Sequence, residues 1–158
     1  MKTLIIYASK YGCTADCAAY LKDKLSSGAT LIDINKTNKQ IELEHFSTVI
    51  IGGSIYASQL YSKELRMFCK NNIDTLCKKK IGIFLCCAQI AEANEFFTKN
   101  FPADLLGHAK AIEVFGSEAR LKKMKFLDKS ILKAVTKGNF SSFKISYENI
   151  ENFAKKFS

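Results

Sequence analysis

Three short stretches carry the residues whose types and spacing could do chemistry. The first is "SKYGCT", residues 9–14, directly after the apolar run "KTLIIYA". It offers hydroxyls on Ser9, Tyr11 and Thr14, an ammonium on Lys10, a thiol on Cys13 and a glycine, Gly12. If a helix opens here, free backbone N–H groups and the positive helix end point out of the loop. Gly12 lets the backbone approach an anion closely, so a phosphate is the natural guest. So short a pattern also fits an ordinary capped turn between a strand and a helix.

The second stretch is "GGSIYASQLY", residues 52–61, which contains Gly53, Ser54, Ile55, Tyr56 and Ala57. Gly52 and Gly53 give backbone freedom at a strand end, Ser54 offers a donor, and Tyr56 a ring that can stack on a planar heterocycle. A surface aromatic at a helix entrance reads equally well from this loop alone. The third stretch, "CCAQIAEA", residues 86–93, brings Cys87, Ala88 and Gln89; Ala88 and Gln89 are small and polar groups suited to the rim of a flat ligand.

Several common alternatives fail on specific residues. Neither G-x-G-x-x-G nor G-x-x-x-x-G-K-[ST] follows the first strand, which removes the usual dinucleotide and nucleoside triphosphate loops. A receiver domain would place an aspartate where Ile51, Gly52 and Gly53 stand, and a cysteine phosphatase an arginine where Ala19 stands. None of the six cysteines forms C-x-x-C, so reduced thiols fit better than staples. Cys69, Cys77, Cys86 and Cys87 read as small core residues. Cys17 reads as part of the buried stripe of the first helix, with Leu21 and Leu25 at i, i+4, i+8. Cys13, at a helix N-terminus, is in a place that favours a thiolate. A phosphate would oppose that charge, which leaves Cys13 as a backbone donor with an incidental thiol. His45 and His108 lie outside all three loops and receive no role.

The elements that must position these loops are legible as short apolar, β-branched runs: residues 2–8, 29–34, 47–53, 80–86 and 109–116. Helical patterns separate them at 14–26, 62–72 and 92–100, and a last one covers 147–157. Runs apolar on both faces suit parallel strands covered on two sides, which predicts an open α/β sheet with helices on both faces. In such a sheet, ligands bind at the carboxyl ends of the strands, where the three loops fall. At 158 residues and 47% apolar, one domain spanning residues 1–158 is expected, with a core large enough to fold without metals. No apolar run approaches a membrane span. Met1 and Lys2 lead directly into Leu4, Ile5 and Ile6 without a cleavage pattern, so a soluble, unprocessed cytoplasmic protein is expected.

The chain carries 24 Lys and Arg against 15 Asp and Glu, a formal +9, which favours anionic partners. Five of those charges come from "EARLKKMKFLDKSILKAVTK", residues 118–137. As a helix it would put Leu121, Met124, Leu127, Ile131, Leu132 and Val135 on one side. Lys122, Lys125, Lys129, Lys133 and Lys137 would lie on the other, with Phe126 among them. The expectation is either a solvated face over a core-packed stripe, or a contact surface for an anionic membrane or an acidic partner. Nucleic acid is disfavoured, because a single aromatic interleaves the lysines.

"YASKYGCT" resembles the flavodoxin phosphate signature, with Tyr11 at its third position, and "VIIGGSIYAS" resembles the second flavin loop of that family. The whole chain is similar to flavodoxin-domain proteins, and most of all to the flavodoxin-type protoporphyrinogen oxidase subfamily of bacteria. That subfamily has a basic helical insertion after strand five, here approximately 117–142, then a strand ("FKIS", 143–146) and a closing helix. The resemblance implies a flavodoxin-like open five-stranded parallel sheet of order 2-1-3-4-5. It also implies FMN, its phosphate held by Ser9, Lys10, Tyr11, Gly12, Cys13 and Thr14. The flavin ring would lie between Gly53, Ser54, Ile55, Tyr56 and Ala57 on one side and Cys87, Ala88 and Gln89 on the other. Tyr56 would be the stacking residue. The chemistry would be that of the flavin, with no catalytic side chain.

Three functions follow from that resemblance. One is an FMN-dependent oxidoreductase resembling protoporphyrinogen dehydrogenase, passing electrons to a quinone, with the porphyrin or the inner face of the membrane met by the basic segment. Another is an electron carrier serving a redox partner, although shuttling flavodoxins tend to be acidic. The third is a flavin-free module that binds through the basic helix.

Overall fold

The computed structural model describes residues 2–56 and 59–158. In chain order it runs β1 (Thr3–Tyr7), α1 (Cys13–Lys24), β2 (Thr30–Asp33), β3 (Thr48–Tyr56), β4 (Gln59–Leu60), α2 (Lys63–Asn71), α3 (Ile73–Leu76), β5 (Lys80–Cys86), α4 (Ala93–Asn100), α5 (Ala103–His108), β6 (Ala111–Gly116), α6 (Phe126–Thr136) and α7 (Tyr147–Lys155). Five strands pair in parallel in the order β2-β1-β3-β5-β6, the expected 2-1-3-4-5 arrangement.

Side-chain alternation explains why these runs are apolar throughout. Leu4 and Ile6 of β1, Val49 and Ile51 of β3, and Ile81, Ile83 and Leu85 of β5 enter one core with Leu65, Phe96 and Leu105. The intervening Ile5, Ile50 and Phe84 enter the opposite core with Leu21, Phe115, Ile150 and Phe153. Helices cover both faces, so successive residues through the middle of a central strand are interior on either side. Cys17, Leu21 and Leu25 line the buried side of α1 as expected, at 1%, 0% and 5% exposure.

The structure departs from the sequence expectations in three places. Gly52 and Gly53 do not mark a strand end. They lie inside β3, in register with Phe84 and Leu85 of β5. A Cβ on Gly52 would sit 2.0 Å from Phe84 Cζ, so close packing, not backbone freedom, demands glycine there. The strand then continues through Ser54, Ile55 and Tyr56 and turns back, pairing antiparallel with β4 as Ile55 to Leu60 and Tyr56 to Gln59. Ala57 and Ser58 lie outside the described residues.

Residues 143–146 form no strand; Ile145 makes one isolated antiparallel bridge to Gly116. Ser146 N–H donates to the Phe115 carbonyl at 2.8 Å while its hydroxyl accepts from Asn149 N–H, so α7 begins before a ladder can extend. The basic helix is also shorter than its pattern. Residues before Phe126 form turns, with Lys123 N–H on the Arg120 carbonyl at 2.9 Å. No residue of α6 is buried. Of the expected stripe, Leu127, Ile131 and Val135 are 68%, 49% and 67% exposed while Leu121, Met124 and Leu132 are half-buried, so none of it enters the core, and Phe126 on the lysine side is 86% exposed.

Candidate functional site

Gly12 closes the first loop and caps α1 with a left-handed backbone, φ 95°, a conformation that disfavours any other residue. Ser9 folds under it, its Oγ accepting from Gly12 N–H at 3.1 Å and Ala15 N–H at 3.2 Å. Those two donors are therefore spent on the loop itself, and the Ser9 hydroxyl proton remains to be given. The N–H groups of Cys13 and Thr14, in the first turn of α1, find no acceptor among the described residues. Thr14 is 1% exposed, and its Oγ1 has no hydrogen-bond partner. Buried hydroxyls are almost always paired, and an orphan costs about 1–3 kcal/mol. The loop leaves the Cys13 and Thr14 N–H groups and the Thr14 hydroxyl unpaired beside the start of a helix, which is the chemistry of an anion cradle.

The hairpin of β3 and β4 stands beside this loop. Lys10 Nζ lies 4.2 Å from the Tyr56 ring centre, 5.3 Å from that of Tyr11 and 5.4 Å from that of Tyr61. Ser54 Oγ is a second buried hydroxyl without a partner. Burial pushes the Tyr56 phenol above its ordinary value, with the Asp128 carboxylate adding to the effect. In the third loop, Ala88 is half-buried and Gln89 exposed, whereas Cys87 is buried in the core beside Leu85 and offers only its backbone.

The inserted segment reaches back onto the first loop, which the sequence did not announce. Lys10 is not a free charge: its Nζ lies 2.6 Å from Asp128, in the first turn of α6, and Tyr11 donates its hydroxyl proton to the same carboxylate. Burial pulls the Lys10 ammonium down, but the Asp128 and Tyr11 contacts outweigh it and hold Lys10 above its ordinary value. The same bonds, Lys10 first, hold Asp128 below the usual carboxylate range. Arg120 bonds the Tyr11 carbonyl at 3.4 Å and forms ion pairs with Asp16 at 2.5 Å and Glu118 at 2.7 Å. Its Nη1 would stand 2.7 Å from a Cβ at Gly12, directly over the loop. Arg120 and Asp128 are the site residues that sequence reasoning missed. The only signal was one arginine and one internal acid in a run of lysines.

The Cys13 sulfur lies within 4.8 Å of those of Cys17 and Cys86. Hydrogen bonds from those two thiols hold Cys13 well below the usual thiol range, and the same contacts push Cys86 up and, together with burial, Cys17. The thiol is therefore not incidental to the packing. Neither histidine joins the site: His45 bonds Glu42 at 2.7 Å and His108 the Lys79 carbonyl at 2.8 Å. A separate open groove of about 500 Å³ is lined by Ile32 and by residues between Thr37 and Phe46.

A parallel sheet of this order, with an anion-ready loop after its first strand and an aromatic hairpin after its central one, defines the flavodoxin-like class of α/β protein. The chain belongs to the flavodoxin domain family, whose sequence model matches residues 4–143. Among curated proteins no match is found. The fold is similar to that of flavodoxin 2 from Bacillus cereus, with 19% identity, 99% and 97% of the two chains covered and a TM-score of 0.59. Flavodoxin 1 from Bacillus cereus gives 17% identity, 99% and 97% coverage and 0.57. A Fusobacterium nucleatum flavodoxin bound to flavin mononucleotide gives 15%, 99% and 96%, and 0.52. No helix among the described residues is long and apolar enough to cross a membrane.

Proposed function

We propose that this protein binds FMN and transfers electrons through it. The observation that carries the reading is the pair of buried, partnerless hydroxyls, Thr14 Oγ1 in the first loop and Ser54 Oγ in the hairpin. Ser9, Lys10, Tyr11, Gly12, Cys13 and Thr14 would hold the phosphate through backbone N–H groups and hydroxyls. Gly53, Ser54, Ile55 and Tyr56, with Ala57, would border the ring on one side, and the backbone of Cys87 with Ala88 and Gln89 on the other. When bound, FMN supplies one- and two-electron chemistry at its ring, and the protein sets access and potential. That a Fusobacterium relative of the same fold carries flavin mononucleotide adds support.

The basic α6 is the partner face in this reading. Its exposed Phe126, Leu127, Ile131 and Val135, flanked by lysines, suit an anionic surface that also accepts apolar side chains. A membrane-facing quinone reductase that oxidises a reduced porphyrin is the most specific form of the proposal, and a carrier that serves an acidic protein is the simpler one. Titration of the purified chain with FMN, followed by absorption and by flavin fluorescence, tests the cofactor. Saturable binding is expected, and its absence with added FMN removes both redox forms. Turnover of a reduced porphyrin with a quinone then separates enzyme from carrier.

A further inference from the structure

Cys13, Cys17 and Cys86 come from two elements that the sheet topology brings together. Cys13 and Cys17 are one turn apart on the same side of α1. Cys86 is the last residue of β5, beneath that side. Their three sulfurs all lie within 4.8 Å of one another. All three thiols are free, and the residues are 9%, 1% and 2% exposed. Three core cysteines would disperse among hydrophobic neighbours if each served only as a small apolar filler, as Cys69 does. Here they converge on one point.

We propose that Cys13, Cys17 and Cys86 form a three-sulfur binding site for a soft, thiophilic trivalent ion of the arsenite type. Sulfur bonds of about 2.3 Å to a single centre place three sulfurs up to about 4 Å apart, within reach of side-chain rotation here. Among the described residues the group holds three cysteines and no other candidate donor residue, whereas structural zinc sites are closed by four. Softness of the ligand set selects thiophilic ions, and burial selects among those by charge. Three thiolates around a trivalent centre are neutral overall, while around a monovalent or divalent ion they leave net negative charge in a water-poor site. The exchange balances without an oxidant: neutral As(OH)₃ and three S–H groups give three As–S bonds and three waters. Cys13, the most exposed of the three, is the entry point, under Arg120. The inference does not depend on FMN binding.

The test is titration of the reduced full-length chain with arsenite under anaerobic conditions. Bound arsenic is counted after gel filtration and free thiols by a chromogenic disulfide. One arsenic per chain with loss of three reactive thiols is expected, with three sulfur neighbours in the X-ray absorption spectrum. Cys17→Ala and Cys86→Ala should each abolish one-to-one retention, and Cys69→Ala should leave it intact. If Cys86→Ala does not fold, Cys17→Ala and the sulfur count on the unaltered protein still decide. Retention unchanged by Cys17→Ala, a sulfur count of one, or preferential retention of Zn(II) or Cu(I) over arsenite would overturn the proposal.

Discussion

Thr14→Val separates the anion cradle from an ordinary helix start, because the two readings predict different signs for stability and binding. Thr14 is 1% exposed and its Oγ1 has no partner, so the folded chain without ligand carries an unsatisfied hydroxyl. Valine keeps the branched shape and removes that cost, so the ligand-free protein should gain about 1 kcal/mol, or roughly 2–4 °C in Tm for a chain of this size. With FMN present, the hydroxyl would donate to a charged phosphate oxygen, an interaction worth about 1.5–3 kcal/mol. Its removal should therefore weaken FMN binding by about 10- to 100-fold. Riboflavin, which has the ring but no phosphate, should bind both forms equally. Quenching of flavin fluorescence gives both affinities, and urea unfolding of the ligand-free forms gives the stability change. Unchanged FMN affinity, or an equal loss for riboflavin, would refute the assignment of Thr14 to the phosphate.

Gly52→Ala should cost about 3 kcal/mol or abolish folding, since the new Cβ would meet Phe84, whose ring stacks on Phe115 at 4.4 Å; urea unfolding or soluble yield reports it. Gly12→Ala forces a non-glycine residue to φ 95° against Arg120, at about 1–2 kcal/mol; adding Arg120→Ala should recover only the steric part in a double-mutant cycle. Tyr56→Ala should weaken FMN about five-fold by loss of ring stacking while Tyr56→Phe changes little, and riboflavin affinity should follow the same order.

The sheet was legible because each central strand carries an uninterrupted apolar stretch, Leu4–Ile6, Val49–Ile51 and Ile81–Cys86, as strands of a sheet covered on two sides do. The first loop was legible because glycine, hydroxyls and the following helical pattern fall within six residues. What escaped the sequence depends on contacts between distant segments. Gly52 and Gly53 look like a loop signal in isolation, and their reason, the Phe84 ring and Leu60, lies on other strands. Cys86 meets Cys13 only through the parallel β3–β5 pairing and the packing of α1 on the sheet. Helical periodicity placed residues 118–125 in a helix, but Arg120 is drawn to Asp16 and the Tyr11 carbonyl. The apolar residues of α6 were visible, and of the two readings left open for them the core-packed one fails, since no residue of the helix is buried.

Asp128 ties that exposed helix to the first loop, so whatever binds the loop's donors also acts on the helix. A phosphate bound in the proposed cradle would compete with the Asp128 carboxylate for the same two donors, Lys10 and the Tyr11 hydroxyl. Because its folded-state pKa is lowered, the Asp128 carboxylate adds stability above its unfolded value of about 4 and loses it as pH falls through the folded value. The pair is near the surface, which limits it to about 1 kcal/mol. Asp128→Asn should accordingly tighten FMN by a few-fold at neutral pH, through the freed Lys10, and flatten the acid side of the stability curve below about pH 4. By reciprocity, FMN must loosen α6 from the loop by the same factor. Amide exchange across residues 126–136 should rise when FMN is added to the unaltered chain and stay constant in Asp128→Asn. Slower exchange on adding FMN would mean that helix and phosphate share the donors without competing, and the coupling would have the opposite sign.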